Sequence, residues 1–375
     1  MINNIKKLLG KSYYPLNEIE ISQGALKRNY NFLSQMAAPL KVAPVVKSNA
    51  YGHGIELVGS VLDSCNPPFF CVDSLFEAYQ LKNSGINSEI LVMGFVDARN
   101  IQVKKLPFAY TVFDLDFAKA LNRYQPGAKV HIKVDTGMNR LGVSTKNLPN
   151  FLDEIRKLKK VKVVGLMSHL ASANSSKAQT NSQMQSFKDA RKIVHQKSLD
   201  PKWFHVAASD GLFNINKKVL GTVSNLTRVG IALYGADEYG KTTPVLKLTS
   251  KIVQIKDIQK GGKVGYDGTY RAPSPLKIAL LPIGYNDGLD RRLSQIGVLS
   301  YKNNKCKILG RISMNITAVD ISDIKRSKIG DEITVISNKP GNFNSVNKLA
   351  RICSTIPHDL LVRLHAKSIR RTLAP

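Results

Sequence analysis

A lysine follows directly after the first short apolar run of the chain. The run is Val-Ala-Pro-Val-Val at residues 42–46, and Lys47 precedes Ser-Asn-Ala-Tyr-Gly-His-Gly. If residues 42–46 form a barrel strand, Lys47 lies at the strand's carboxyl end, where barrel active sites are built. A lysine amine with a desolvated stem can act as a nucleophile. The competing interpretation is a surface lysine that begins a helix.

Further polar groups accompany two later apolar runs. Ser209 follows the seventh run, and Gly230 and Ile231 belong to the eighth. Barrel enzymes often hold a phosphate after their seventh and eighth strands, through hydroxyl groups and backbone N–H groups. The sequence therefore predicts a phosphate site near Lys47, with Gly230 as an ordinary turn residue as the alternative.

These residues need a scaffold that brings strand ends together. Eight apolar runs, each followed by a polar, helix-like stretch, recur about 27 residues apart, a spacing typical of βα units. The runs are residues 42–46, 69–72, 90–93, 109–113, 130–134, 163–167, 203–207 and 229–233. Ser74 is a candidate helix N-cap, and Gly85 is a candidate helix stop. The pattern predicts an α/β fold with a (β/α)8 TIM-type barrel over residues 12–240. A doubly wound sheet is the alternative, but no G-x-G-x-x-G follows the first run.

The chain changes character after about residue 240. Short segments that alternate apolar and polar residues are separated by Gly, Asn, Asp and Pro, and one helical segment is expected at residues 345–353. This pattern predicts a second, mainly β domain over residues 241–375. Residues 1–20 are candidates to pack with it.

The composition excludes several classes of protein. Of 375 residues, 43% are hydrophobic and 22% are charged, which argues against a disordered or fibrous chain. No segment reaches the roughly 18 apolar residues of a membrane-spanning helix. Residues 1–17 also lack the apolar run of a signal peptide. We therefore expect a cytoplasmic protein without a membrane partner.

The net charge of +28 is unusual, since 55 Lys and Arg residues face 27 Asp and Glu residues. Nucleic acid is the first partner to consider. The basic residues are spread in ones and twos, however, and the densest stretch, residues 156–160, is typical of an exposed helix end. We therefore expect a solvated basic surface and no nucleic-acid partner. Because the four cysteines lack C-x-x-C spacing, no metal is expected either.

The string VVKSNAYGHG at residues 45–54 closely resembles the pyridoxal-phosphate attachment motif of the alanine racemase family. Other strings match motifs of that family in chain order: VHIKVDTGMNRLG (130–142), SHLASA (168–173), HVAAS (205–209), RVGIALYG (228–235), VGYDGTY (264–270), PIGYNDG (282–288) and GRISMN (310–315). The resemblance covers nearly the whole chain. It implies a homodimeric isomerase that uses pyridoxal 5'-phosphate to interconvert L-alanine and D-alanine, a component of bacterial peptidoglycan.

The resemblance also implies cofactor-binding residues. Lys47 would carry the cofactor covalently, and Arg228 would donate to its pyridine nitrogen. The other residues implied to bind it are Tyr51, His169, Ser209, Gly230, Ile231 and His358. Because a guanidinium keeps its proton, Arg228 would leave that nitrogen unprotonated and weaken the ring as an electron sink. Proton return would then be favoured over transamination.

Racemisation needs a base on each face of the reacting carbon, because one base returns a proton only on its own side. By resemblance, Lys47 serves one face and Tyr266 of the partner subunit serves the other. A phenol has an ordinary pKa of about 10, so it needs nearby positive charge to act at neutral pH. The resemblance makes His169 a relay to the phenol and Arg140 the cation near it. A plain core histidine is the alternative for His169.

The family motifs also imply residues that contact the substrate. Lys133 stands where many members carry a carbamylated lysine that orients the equivalent of Arg140. An unmodified buried lysine facing Arg140 would be repulsive, so we expect carbamylation or an anion there. Met314 resembles a second-subunit residue whose backbone binds the substrate carboxylate. Tyr285 resembles an aromatic that lines the entrance, and Tyr285 and Tyr51 could equally be packing residues.

The chain departs from the usual family pattern at a few positions. These are Asn315, Gly265, Asp267 and Ala208, where Asp, Ser, Gly and Asn are commoner. No departure removes Lys47 or Tyr266, so the departures bear on rate and substrate preference.

The alternatives to an alanine racemase are a racemase for serine or another small amino acid, and a non-catalytic pyridoxal-phosphate carrier. Carriers of that type consist of the barrel alone, so residues 245–375 argue against them.

One departure generates a prediction about substrate choice. His358 stands where the family segment has a tyrosine that reaches the phosphate and narrows the space beside the substrate side chain. The shorter histidine leaves room for a hydroxyl, which a methyl-sized pocket rejects by only about 10²-fold. We expect measurable serine racemisation and a higher alanine-to-serine ratio of kcat/KM in the His358→Tyr variant. An unchanged ratio would mean that a neighbouring residue fills the gap.

Overall fold

The structure is a computed structural model that describes residues 14–365 and 369–375. The chain divides into two compact units. The barrel unit comprises Leu26–Tyr51 and Ile55–Asp237, and the β unit comprises the residues up to Ala25, Gly52–Gly54 and Glu238–Pro375. Residues 1–13 lie outside the described residues. They include residue 12, the predicted start of the barrel, and most of residues 1–20, the segment predicted to pack with the β domain.

The strands of the described residues are numbered in chain order. They are β1 (Asn17–Ser22), β2 (Lys41–Pro44), β3 (Phe70–Val72), β4 (Ile90–Val92), β5 (Ala109–Val112), β6 (Lys129–Asp135), β7 (Val143–Ser144), β8 (Lys162–Met167), β9 (Trp203–His205), β10 (Leu226–Val229), β11 (Leu246–Lys251), β12 (Gln254–Ile258), β13 (Lys263–Val264), β14 (Tyr270–Arg271), β15 (Leu276–Leu281), β16 (Val298–Tyr301), β17 (Asn304–Leu309), β18 (Thr317–Asp320), β19 (Glu332–Ile336) and β20 (Arg370–Ala374).

The α-helices are numbered in the same way. They are α1 (Gln23–Ala37), α2 (Ile55–Asp63), α3 (Leu75–Asn83), α4 (Leu115–Tyr124), α5 (Leu148–Lys157), α6 (Lys177–Gln196), α7 (Ser209–Asn214), α8 (Lys217–Gly221), α9 (Val346–Ile352) and α10 (Pro357–Val362). Short 3-10 turns occupy Ala98–Ile101, Ile231–Tyr234, Tyr266–Gly268, Tyr285–Asp287 and Arg291–Leu293. No helix in the described ranges is long and apolar enough to cross a membrane.

The barrel unit is a ring of eight parallel strands. The order β3-β4-β5-β6-β8-β9 forms one sheet, and β10 pairs with β2 in parallel. A parallel bridge between Val45 and Cys71 joins the β2 side to β3. On the other side, the Arg228 N–H donates to the Ala207 carbonyl oxygen at 3.1 Å and joins the β9 side to β10. The predicted (β/α)8 barrel is therefore confirmed, and the carboxyl ends of its strands meet at one mouth.

Apolar side chains fill the barrel, as parallel strands covered on both faces require. One cluster of fully buried residues comes from strands on different sides of the ring: Ala43, Val45, Phe69, Cys71, Leu91, Ala109 and Leu226. The predicted helix signals between strands are also confirmed. The Ser74 side chain accepts from the Glu77 N–H at the start of α3, and Gly85, with φ +88°, follows its end.

The predicted eighth strand, residues 229–233, is wrong. The strand is β10, Leu226–Val229, and Ile231–Tyr234 forms a 3-10 turn after it. An apolar run of four residues is equally compatible with a buried strand and a buried turn. The real strand was obscured because it carries Thr227 and Arg228, two polar residues that are buried inside the barrel.

The β unit is built on a nine-stranded sheet with the order β12-β15-β18-β17-β16-β19-β11-β1-β20. All its pairs are antiparallel except β1 with β20. Strand β1 therefore lies between β11 and β20, inside this sheet. A separate hairpin joins β13 to β14. The predicted mainly β domain is confirmed, and the segments between its strands carry the remaining predicted site residues.

Candidate active site

Lys47 opens a left-handed turn at the carboxyl end of β2. Ser48, Asn49, Ala50 and Tyr51 all have φ between 53° and 54°. For residues with a side chain, this conformation costs about 1–2 kcal/mol each relative to a right-handed helix. Lys47 therefore lies just after the end of a barrel strand, as predicted, but it begins a left-handed turn and not an ordinary helix. Strain of this kind persists only when surrounding contacts hold it, and it concentrates at functional sites.

Arg228 lies on β10 and is 3% exposed. One of its terminal nitrogens donates to His205 Nδ1 at 2.5 Å and to the His205 carbonyl oxygen at 2.9 Å. The other donates to the Ser168 carbonyl oxygen at 2.6 Å and faces His169 Nδ1 at 3.3 Å. Burial lowers the pKa of the guanidinium to about 10, which still leaves it charged at neutral pH. The mouth of the barrel therefore has a fixed cation that only donates hydrogen bonds.

A pair of buried histidines continues from Arg228 into the barrel. Because the guanidinium donates to His205 Nδ1, that ring carries its proton on Nε2, which faces His131 Nδ1 at 2.8 Å. Burial, together with the charge of Arg228, lowers the pKa of both rings, that of His131 to about 3. A Cβ atom at Gly165 would lie 2.0 Å from His131 Nδ1. Glycine at this position therefore makes room for the histidine pair.

Four cations surround His169 at the mouth. Burial first, and then the charges of Arg228, Arg140, Lys133 and Lys47, lower the pKa of His169 to about 3. Burial and the charges of Arg228, Arg140 and Lys47 also lower the pKa of Lys133 to about 8. The Asp73 carboxylate opposes this charge, and its Oδ1 lies 3.9 Å from Lys47 Nζ. The barrel mouth therefore carries excess positive charge and is suited to an anion.

The predicted phosphate residues lie around the ends of β9 and β10. Ser209 Oγ accepts from the Gly230 N–H at 3.3 Å and from the Ala232 N–H at 3.4 Å. A Cβ atom at Gly230 would lie 2.4 Å from Tyr51 Oη. Gly230 therefore permits a close approach of the tyrosine and is more than an ordinary turn residue. Ile231 begins the 3-10 turn that follows and is 8% exposed.

The other predicted residues belong to the β unit. Tyr266, Tyr285 and Met314 are 66%, 44% and 54% exposed, which is high for large apolar side chains. His358 is half-buried on the short helix α10. The structure therefore gathers the barrel residues at one mouth and places these four in a separate unit.

Glycines allow the three loops that carry Tyr266, Tyr285 and Met314 to approach one another closely. The Tyr285 N–H donates to the Ser313 carbonyl oxygen at 3.1 Å, and a Cβ atom at Gly284 would lie 2.4 Å from the Met314 carbonyl oxygen. A Cβ atom at Gly310 would likewise lie 2.5 Å from the Val264 carbonyl oxygen. The loops of Tyr266, Tyr285 and Met314 are thus packed backbone to backbone. Tyr266 and Tyr285 also line one cleft, together with Gly288, Leu289, Asp290, Arg291, Arg292, Ile312 and Arg363.

Sequence reasoning missed several residues that support the site. His131 and His205 lie within two of the family motifs, but their contact joins two strands that are distant in sequence. The buried Gln183 donates to the His169 carbonyl oxygen at 3.1 Å and accepts from the Ala171 N–H at 2.8 Å, which fixes the loop of His169. Glu77 had a signal, because Ser74 and Glu77 have the spacing of a capping box.

A closed barrel whose mouth gathers a strand-end lysine and a buried guanidinium is typical of barrel enzymes that bind an anionic ligand. The match to the family model described as alanine racemase, N-terminal domain covers residues 21–238, and that to the C-terminal domain covers residues 245–372. The chain therefore belongs to the alanine racemase family, whose members are isomerases.

Individual relatives agree with the family match. An alanine racemase of Syntrophobacter fumaroxidans is 32% identical over 355 residues, which cover 91% of this chain and 93% of the relative. A solved alanine racemase of Clostridium difficile has a TM-score of 0.89 at 26% identity, with 97% of each chain covered. A Bartonella henselae alanine racemase with covalently bound pyridoxal phosphate has a TM-score of 0.84 at 28% identity, covering 96% of this chain and 100% of that chain.

The buried histidines predict a pH dependence of stability. Because an unfolded histidine has a pKa of about 6.5, and burial lowers the pKa of His131 and His169 to about 3, the unfolded chain binds more protons between these values. The free energy of unfolding should therefore fall as the pH drops below about 6.5, by up to about 1.4 kcal/mol per pH unit for each histidine.

Urea unfolding at a series of pH values measures this slope. The His131→Phe variant removes one of the groups and should have a shallower slope than the wild type. His195→Gln, which replaces an exposed histidine on α6 outside the cluster, is the matched control. Equal slopes for His131→Phe and the wild type would contradict the account.

Proposed function

We propose that this protein interconverts L-alanine and D-alanine with pyridoxal phosphate as its cofactor. The observation that carries the proposal is the position of Lys47 at the end of a barrel strand, beside the excess positive charge around the buried Arg228. Family membership and the cofactor bound to the Bartonella henselae relative support the same activity. Serine racemisation on the same scaffold is the alternative, and it depends on His358.

The donors at the mouth fit pyridoxal phosphate. Lys47 would hold the aldehyde covalently, and the Arg228 guanidinium would donate to the pyridine nitrogen. The Ser209 hydroxyl and the backbone at Gly230 and Ile231 would hold the phosphate, and Tyr51 would border it. When bound, the cofactor supplies an electron sink that makes the α-hydrogen of an amino acid acidic. Because the Arg228 guanidinium keeps its proton and only donates hydrogen bonds, it would leave the pyridine nitrogen unprotonated, which limits that sink and favours reversible proton transfer.

Two groups of this chain would move the proton. Lys47 Nζ would take and return it on one face, and the hydroxyl of Tyr266 of the partner subunit would do so on the opposite face. The high exposure of Tyr266, Tyr285 and Met314 supports a homodimer, because large apolar side chains packed on one surface are suited to being covered by a second copy. His169, which burial keeps neutral, would relay the proton to and from the phenol.

Arg140 would bind the substrate carboxylate, together with the backbone of Met314 of the partner subunit. Lys133 would orient Arg140 as a carbamate. The lowered pKa of Lys133, about 8, supports this, because a neutral amine is the form that reacts with carbon dioxide. A carbamate would also convert one of the four cations at the mouth into an anion and relieve their repulsion.

We further propose that the enzyme is cytoplasmic and supplies D-alanine for peptidoglycan.

Chiral analysis of alanine after incubation with the purified protein tests the activity, and two variants test the two bases. Tyr266→Phe keeps the ring but removes the proton carrier, so racemisation should fall by about 10²-fold or more. Lys47→Ala should be inactive. Tyr14→Phe, at a tyrosine that is 78% exposed, is the control and should match the wild type.

Mixing the two inactive variants tests the shared site. A heterodimer of Lys47→Ala and Tyr266→Phe chains has one intact site, so partial activity should return after subunit exchange. If confirmed exchange restores no activity, the two bases do not come from different subunits. A wild-type protein that leaves both enantiomers of alanine unchanged would overturn the proposed function itself.

A further inference from the structure

A single carboxylate, that of Glu77, joins the two loops that carry Lys47 and Asp73. Its Oε1 accepts from the Ser48 N–H at 2.5 Å and from the Asn49 N–H at 3.3 Å. Its Oε2 accepts from the Asp73 N–H at 2.8 Å. The residue is half-buried. Three backbone donors from two separate loops thus converge on one side chain.

The left-handed turn after Lys47 needs such an external partner. Within the turn, the Ala50 N–H returns to the Val46 carbonyl oxygen at 2.8 Å. The N–H groups of Ser48 and Asn49 point to the Glu77 carboxylate instead. Because successive residues with side chains disfavour positive φ, the conformation depends on contacts made from outside the turn. Hydrogen bonds to an ionised carboxylate are stronger than those to a neutral acceptor, so Glu77 is suited to supply them.

The rest of the structure fixes where this carboxylate lies. Glu77 is in the first turn of α3, and its N–H donates to Ser74 Oγ at 3.3 Å. In an ordinary capping box the glutamate would return to the N–H of the capping serine. Here its Oε2 binds the Asp73 N–H, one residue earlier, and Oε1 is directed to the neighbouring loop. The rigid start of the helix therefore presents Glu77 to the turn.

Glu77 also acts on Lys47 through a second route, the loop of Asp73. Asp73 Oδ1 is the ion-pair partner of Lys47 Nζ at 3.9 Å. The Asp73 backbone is held by Glu77 at its N–H and by the Gly94 N–H, which donates to the Asp73 carbonyl oxygen at 2.9 Å. Glu77 thus supports both the turn that begins at Lys47 and the loop that carries its counter-ion.

We propose that Glu77 is a positioning residue that holds the left-handed turn and so directs the Lys47 amine to the barrel mouth. Its consequence for catalysis rests on the proposed function, whereas its control of the turn does not. Glu77 touches neither the substrate nor the cofactor in this account. A residue with only a helix-capping role would stabilise α3 but leave the turn of Lys47 unaffected, so the two roles are separable.

Three variants of the full chain separate these roles. Glu77→Ala removes both carboxylate oxygens, and Glu77→Gln keeps the size and one acceptor oxygen. Ser74→Ala removes the helix cap at the same helix end without touching the carboxylate contacts. Glu56→Gln is the control for loss of charge, because Glu56 is an exposed acidic residue in the first turn of the adjacent helix α2.

Hydrogen–deuterium exchange of the cofactor-free protein is the first measurement. The amides of Ser48 and Asn49 should exchange about tenfold faster or more in Glu77→Ala, as expected for lost hydrogen bonds to a charged group, and by less in Glu77→Gln. Ser74→Ala and Glu56→Gln should leave these two amides as in the wild type. Unchanged exchange in Glu77→Ala, or an equal effect of Ser74→Ala, would overturn the proposal.

Reactivity of the lysine is the second measurement. Pyridoxal phosphate trapped on Lys47 by borohydride should accumulate more slowly in Glu77→Ala than in Glu56→Gln. In a racemisation assay, kcat should fall about tenfold or more with a smaller change in KM, because Glu77 positions a base used in the transition state. A loss confined to KM would contradict a positioning role. If the wild type fails to racemise alanine, the proposed function fails, but exchange and trapping still decide the role of Glu77.

Discussion

The buried guanidinium of Arg228 is the constraint on which the rest of the barrel mouth depends. Its acceptors are two imidazole rings and two carbonyl oxygens, which are all neutral groups. A buried cation without an opposing carboxylate is expensive, so the surrounding groups adapt to it. It helps to keep His131, His169 and His205 neutral, and it contributes to the lowered pKa of Lys133. An anion at the mouth would complete this arrangement, which is why the site is suited to a phosphate-bearing cofactor and a carboxylate substrate.

Backbone strain is the second element of the site. The left-handed turn after Lys47 opposes the intrinsic preference of four residues with side chains, and it is the only such run in the described part of the chain. Its strain is offset by contacts from α3 and from the core around Val46. The close approach of Tyr51 to Gly230 then fixes the other end of the turn against β10. Fold and site are therefore linked through the carboxyl ends of β2, β3 and β10, where polar residues replace the apolar filling of the barrel.

Local patterns predicted much of this architecture. Seven of the eight barrel strands lie within a few residues of their predicted bounds, because short apolar runs between turn signals identify buried parallel strands. The eighth was displaced because Thr227 and Arg228 are polar residues within the buried strand and break the apolar pattern. Lys47, Ser209 and Gly230 were predicted as site residues because each lies near a strand end, and the structure places them near the carboxyl ends of β2, β9 and β10. The histidine pair, Gln183 and the bridging role of Glu77 were missed, because each depends on a contact between segments that the sequence keeps far apart.

The charged mouth should direct one lysine among many to react. The chain has 39 lysines, most of them dispersed over its length, so selective labelling is a demanding test. Purified protein mixed with an equimolar amount of pyridoxal phosphate, reduced with borohydride and digested, is analysed by peptide mass spectrometry. We expect to find the label on Lys47, and we expect pyridoxal without the phosphate to label Lys47 far less. Label spread over surface lysines, with no preference for Lys47 or for the phosphate, would contradict this expectation.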